Sequence, residues 1–158
     1  MVTGLRPAGD RRLSIESTTV GKVIVSAKIE NLFDIEEVFR GWITDEQVRR
    51  LELDDAMVDT GATTLSLPKR LIAALGLRQL RTAQARTSNG VATFGIYSPV
   101  RLTVQSRDCT VEVAELPDHC PPLIGVIPLE ILDFVVDPKR QRLIGNPDHG
   151  GQQMFDMF

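Results

Sequence analysis

The sequence predicts a single mainly β domain with one or two short helices, and three observations carry that reading. Val23, Val25, Ala27 and Ile29 alternate with Lys22, Ile24, Ser26, Lys28 and Glu30, the period of a half-buried strand. Gln79 to Val104 reads as a long hairpin that turns at Asn89-Gly90. The apolar run Ala56-Met57-Val58 enters Asp59-Thr60-Gly61-Ala62 and so delivers a carboxylate to a sharp turn. With 158 residues, 42% of them apolar, the chain can bury a proper core, and no repeat or low-complexity linker divides it.

Taken in order, residues 1–19 read as an N-terminal extension, expected to be flexible. Arg6, Arg11 and Arg12 are followed by no apolar stretch, so the segment does not read as a signal peptide, and the cytoplasm is the expected location. The domain proper spans 20–147. Within it, Leu32, Phe33, Ile35, Val38 and Phe39 fit a short helix or an extended arm equally well. Thr44-Asp45-Glu46-Gln47 starts a helical turn before a strand from Arg50 runs into the Asp59 loop.

Thr63 to Pro68 is a short β-prone stretch, and Lys69 to Leu77 reads as a helix with Leu71, Ile72 and Leu75 on one side and Gly76 as its stop. Cys109 to Leu116 alternates Val111 and Val113 with Glu112 and Ala114. Pro122 to Pro128 is a second apolar strand stopping at Gly125, and Leu129 to Leu132 a short helix. Phe134-Val135-Val136 and Arg142-Leu143-Ile144 flank a turn at Asp137-Pro138-Lys139-Arg140. Residues 148–158 form a tail expected to be mobile.

Composition narrows the function classes. A net charge of -3, with no basic cluster interleaved with aromatics, gives no footprint for nucleic acid. The longest apolar runs are too short to cross a bilayer as a helix. Cys109 and Cys120 are too few for a disulfide scaffold and lack metal-ligand spacing, so neither a metal nor an organic cofactor is expected. Cys109 reads as a reduced core residue. His119 and Cys120 are neighbours on an extended chain and point to opposite faces, which makes them a poor nucleophile pair. His149 reads as a solvated loop residue.

An acid fixed at a turn becomes chemically useful when a second acid stands beside it. Two carboxylates held close together cannot both ionise, so they share a proton and titrate as a pair, one acting as base while the other remains an acid. The run Asp59-Thr60-Gly61-Ala62, followed about sixty residues on by Leu123-Ile124-Gly125, resembles the retroviral-type (retropepsin-like) aspartic proteases and their single-domain cellular and bacterial relatives. The resemblance runs from about Val20 to Pro147.

It implies a closed β-barrel whose catalytic loop is crossed by the later strand, with Asp59 as the catalytic acid. Thr60 matches the residue that hydrogen-bonds across the dyad, and Gly61 and Ala62 complete the loop. The hairpin tip at Thr87-Ser88-Asn89-Gly90 matches the family's flap by position. An ordinary surface hairpin is the alternative. Because the chain carries one Asp-Thr-Gly and is too short for two lobes, the resemblance implies a homodimer giving one Asp59 per chain, acting on extended polypeptide.

Two positions depart from the viral pattern. Thr63 stands where an acidic residue is usual and Val126 where an arginine is usual; in the family that pair braces the dimer. Losing both leaves no orphan charge and moves dimer adhesion elsewhere. Leu32, Phe33, Phe39 and Trp42 are candidates for it, with simple core filling the alternative. The tail Gln153 to Phe158 fits a docked strand at a dimer seam or a self-cleavage site. Three functions are compatible with the sequence: an aspartic endopeptidase, a catalytically silent retropepsin-like dimerisation or peptide-binding module, and a β-barrel ligand-binding domain in which Asp59 only braces a turn.

Overall fold

A computed structural model describes residues 22–157, and alternation and turn chemistry build nearly half of these as strand. The expected N-terminal extension, 1–19, lies outside the described residues, as do Val20, Gly21 and Phe158. Among the described residues nine strands form: β1 (Val23–Asn31), β2 (Arg50–Val58), β3 (Leu65–Pro68), β4 (Gln79–Thr87), β5 (Gly90–Val104), β6 (Arg107–Leu116), β7 (Leu123–Ile124), β8 (Phe134–Asp137) and β9 (Arg142–Gly145). Seven of them make one sheet in the order β1-β2-β7-β3-β6-β5-β4. Because β1 also pairs with β5, from Lys28↔Thr103 to Asn31↔Val100, six strands close into a ring-like sheet and β4 hangs outside it. Strands β8 and β9 form a separate hairpin.

The ring encloses the core. Ile29, Leu65, Leu67, Leu75, Leu102, Ile124 and Leu132 are fully buried. Each such side chain contributes about 1.5–3 kcal/mol relative to an exposed one. The expected alternation of β1 holds from Val23 to Ile29 across a bulge between Val25 and Ala27, but Glu30 turns inward. Burial works against its charge, yet hydrogen bonds from Arg101 and Arg50 outweigh it and hold the carboxyl below the usual carboxylate range.

Helix α1 (Leu32–Phe39) resolves the segment that fitted two conformations. The Asn31 side chain caps it by accepting from Asp34 N, and Asp34 in the first turn accepts both forks of the Arg49 guanidinium at 2.8 Å. Phe39 and Trp42 are 89% and 67% exposed, and Phe33 is 45% exposed, so these three aromatics do not fill the core. Helix α2 (Lys69–Ala74) ends sooner than expected, at a left-handed Gly76, and a Cβ there would strike the Arg49 guanidinium.

The second apolar strand is shorter than the sequence suggests. Strand β7 is two residues, and helix α3 (Val126–Leu132) starts immediately after Gly125, with Pro128 in its first turn where a missing N–H costs nothing. Cys109 is buried and unpaired, its thiol pushed up to about 11 by burial and then by Asp108.

The end of α3 differs most from expectation. Asp133, buried and left-handed, accepts from His149 Nδ1 at 2.6 Å, from Met154 N at 3.0 Å and from Asn146 Nδ2 at 3.3 Å. His149 is therefore an ion-pair partner and not a solvated loop residue. Arg107 donates to the carbonyls of Leu132, Asp133 and Gly151 and lies 4.6 Å over the Phe134 ring. These contacts attach the chain to the body as far as Met154. Phe155 and Met157 stay exposed.

Candidate active site

The chain reaches Asp59 on β2, which pairs in parallel with β7 through Met57↔Leu123 and Val58↔Ile124. Asp59 N donates to Ile124 O at 3.0 Å, so the strand carrying the acid is fixed to the second motif up to the residue itself. The turn is then closed twice: Ala62 N donates to Asp59 O at 3.1 Å, and Gly61 N donates to Asp59 Oδ1 at 2.8 Å. Asp59 is half-buried, and its other carboxylate oxygen has no hydrogen-bond partner among the described residues. Thr60 is exposed, and its hydroxyl likewise has no partner among them.

Gly125 lets the two motifs cross. A Cβ at this position would lie 2.5 Å from Ala62 O and 2.6 Å from Thr64 O, both backbone atoms. With only hydrogen there, Gly125 N donates to Thr64 O at 3.1 Å, Val126 N to Ala62 O at 2.9 Å and Ile127 N to Thr63 O at 2.8 Å. Three successive amides of the second motif thus bind three carbonyls of the loop leaving Asp59. The Thr64 hydroxyl adds a bond to Glu112 O at 3.0 Å. A loop tied at this density holds its acid still, which is what preorganised chemistry requires.

Beside the loop lies a cleft of about 680 Å³. Its floor is Gly61 to Thr64, Leu123 and Ile127, and its roof is the inner face of the β4–β5 hairpin. The sheet register explains the lining: Arg81↔Ile96 and Ala83↔Phe94 are cross-strand pairs, and Ile96 continues to Ala114 on β6, so one side of the hairpin faces the cleft. Most of that face is apolar. Arg81, Glu112 and Glu115 supply charge, the first two joined by a bidentate pair at 2.6 and 3.1 Å. Asp59 and Thr60 do not line it themselves, but a concave, largely apolar cleft beside their loop is the arrangement of a binding site.

The structure therefore brings Asp59, Thr60, Gly61 and Ala62 together with Leu123, Ile124 and Gly125. It places the turn Thr87-Ser88-Asn89-Gly90 at the far end of the hairpin roof, with Gly90 at φ +118° and the Thr87 hydroxyl donating to Gly90 O. Arg81, Phe94, Ile96, Glu112 and Glu115 were not found from sequence. Their common face depends on the register of three strands, and only the alternation of Glu112 with Val111 and Val113 hinted at it. Among the described residues no three His, Cys, Asp or Glu side chains converge on a metal-sized site, and no helix is long and apolar enough to cross a membrane.

Comparison with known proteins finds a match to the model of the family described as gag-polyprotein putative aspartyl protease over residues 52–130, half of the chain and the part that holds both motifs. The solution structure of the simian foamy virus (mac) protease aligns with 20% identity and a TM-score of 0.43, over 69% of this chain and 93% of that one. No curated protein matches.

Proposed function

The chain belongs to the gag-polyprotein aspartyl protease family, with its retropepsin-like fold, and from that premise we propose that it is an aspartic endopeptidase acting as a homodimer on extended polypeptide. The observation that carries this reading is Asp59 itself: one carboxylate oxygen held by Gly61 N, the other open, beside an apolar cleft. One such acid does not suffice, and a two-fold axis at the Asp59-Thr60-Gly61 turn, exposed at Thr60 and Gly61, supplies the second from another copy.

The open oxygens of the two carboxylates then share a proton across the axis. The ionised one takes a proton from a water molecule as that water attacks the scissile carbonyl. The protonated one donates to the carbonyl oxygen as negative charge develops there. Thr60, with its hydroxyl free in the single chain, fits a hydrogen bond across the axis that stiffens the pair. Alanines at 83 and 85 leave room for large side chains under the hairpin. The polypeptide substrate needs no metal or organic cofactor for this chemistry. Two unpaired cysteines suit a reducing compartment, and a cytoplasmic location is part of the same proposal.

The test is cleavage of a peptide library read by mass spectrometry, with the wild-type chain and Asp59→Asn. Wild type should cut and the folded variant should not, because a neutral amide removes both the base and the shared proton. Hydrolysis by pure, folded Asp59→Asn at the wild-type rate would end the assignment.

A further inference from the structure

The hairpin over the cleft has a definable hinge. At its root, Ser98 N donates to Arg78 O at 2.8 Å and Arg78 N to the Ser98 hydroxyl at 3.1 Å, with Ser98 buried. At this root β5 shifts against β6 between Tyr97 and Val100, and just beyond it β4 shifts register between Gln79 and Arg81. Further out, residues 86 to 93 are all exposed. The projecting part therefore has almost no packing to hold it in place.

Two carboxylates of β6 meet the hairpin at the level of these irregularities, one on each strand. Glu112 takes the Arg81 guanidinium of β4 in the bidentate pair. The β5–β6 ladder ends at Ile96↔Ala114, and there the Glu115 side chain takes the place of the next backbone acceptor, receiving Gly95 N of β5 at 3.1 Å. Lys69 Nζ, 3.7 Å away, steadies Glu115 from α2. A Cβ at Gly95 would lie 2.8 Å from the Tyr97 ring, so that ring must shift to admit a side chain there.

We propose that Glu112 and Glu115 form a two-point clamp on the hinge of the β4–β5 hairpin, and that they are positioning residues for hydrolysis because they hold the roof over the cleft. This rests on the reading of the cleft as a protease site. A side-chain acceptor releases more readily than a backbone ladder, so the hairpin can lift without breaking the ring beneath it. The hinge lies at the clamp, where the β5–β6 ladder ends at Ile96↔Ala114.

The test uses the full chain with Glu112→Gln, Glu115→Gln and both together, plus the charge-reversed pair Arg81→Glu with Glu112→Arg. Hydrogen exchange by mass spectrometry should show residues 82–95 exchanging about twofold to fivefold faster in each single variant. Exchange in β1 and β2 should not change, and the reversed pair should return the hairpin toward wild type. Peptide KM should rise by a similar factor with kcat nearly constant, since the clamp acts before and during the reaction alike. Unchanged hairpin exchange in the double variant would overturn the clamp, and so would faster exchange spread evenly over every strand. Faster hairpin exchange in a wild-type-like fold that cuts no peptide leaves the clamp standing and removes the protease reading instead.

Discussion

Gly125→Ala is the sharpest single test of how the two motifs hold each other. The added methyl would sit 2.5 Å from Ala62 O and 2.6 Å from Thr64 O, about 1 Å inside ordinary contact on both sides. Neither neighbour is a flexible side chain, so relief requires separating the Asp59 loop from the second motif. Overpacking of a tight interior costs about 1–3 kcal/mol, and two opposed backbone contacts put this case at the upper end. If the separation also weakens the bonds from Gly125 N and Val126 N, each adds roughly 1 kcal/mol. A total of about 3–5 kcal/mol follows, which for a domain of this size lowers Tm by about 6–20 °C. Urea unfolding at constant m is the assay, with exposed Thr63→Ala as a neighbour expected to move stability by less than about 0.5 kcal/mol. Peptide hydrolysis should fall further than stability, because the acid moves with the loop. A Gly125→Ala protein within about 0.5 kcal/mol of wild type would refute the reasoning.

Two further outcomes follow from the charged groups. The Arg49 hydrogen bond outweighs burial and holds Asp34 below the usual carboxylate range, so its stabilisation is present above that range and lost as pH falls through the depressed folded value. Asp34→Asn should cost about 2 kcal/mol near neutral pH, allowing for solvent on Arg49, and should flatten the acid limb of stability measured by urea unfolding across a pH series. The Asp133 hydrogen bond raises His149, so that pair is at full strength below the ordinary histidine range and weakens as pH rises through the raised folded value. In a nuclear magnetic resonance titration His149 should titrate above free histidine and return to the ordinary range in Asp133→Asn.

What could be read from sequence was what has a local cause. The β1 alternation and the Asp59 motif each depend on neighbouring residues and are found in place, and the β4–β5 hairpin forms as expected but turns one residue earlier, at Ser88-Asn89, with Gly90 paired to Thr87. The α1 segment was ambiguous because its apolar positions fit two conformations. The Asn31 cap and the Asp34–Arg49 pair, fifteen residues apart in the chain, decide it. The shortened β7 was overridden by Gly125, whose crossing starts α3 at once. Asp133 and His149 could not be joined from sequence, since a buried left-handed residue and a tail residue meet only after α3 and the β8–β9 hairpin have packed. The walls of the cleft were hidden for the same reason: they are properties of register across β4, β5 and β6.

The missing brace at Thr63 and Val126 has a physical consequence for the proposed dimer. Without an acid–arginine pair beside the axis, adhesion must come from apolar surface, and the structure leaves some near the Asp59 loop. Ile127 is 43% exposed and its amide binds Thr63 O; Ile24 is 52% exposed and pairs in register with Met57, two residues before Asp59. Burying the exposed part of one isoleucine contributes about 0.6–1.3 kcal/mol, and the two-fold axis counts it twice. Ile127→Ser should therefore weaken dimerisation by about tenfold to a hundredfold. An apolar seam is also insensitive to screening, whereas an ion-paired one weakens as salt rises. Sedimentation equilibrium from about 0.05 to 0.5 M salt should show a dimer Kd constant within about threefold. A Kd that weakens tenfold over that range would place the adhesion in charged groups, and one untouched by Ile127→Ser would place it away from this loop.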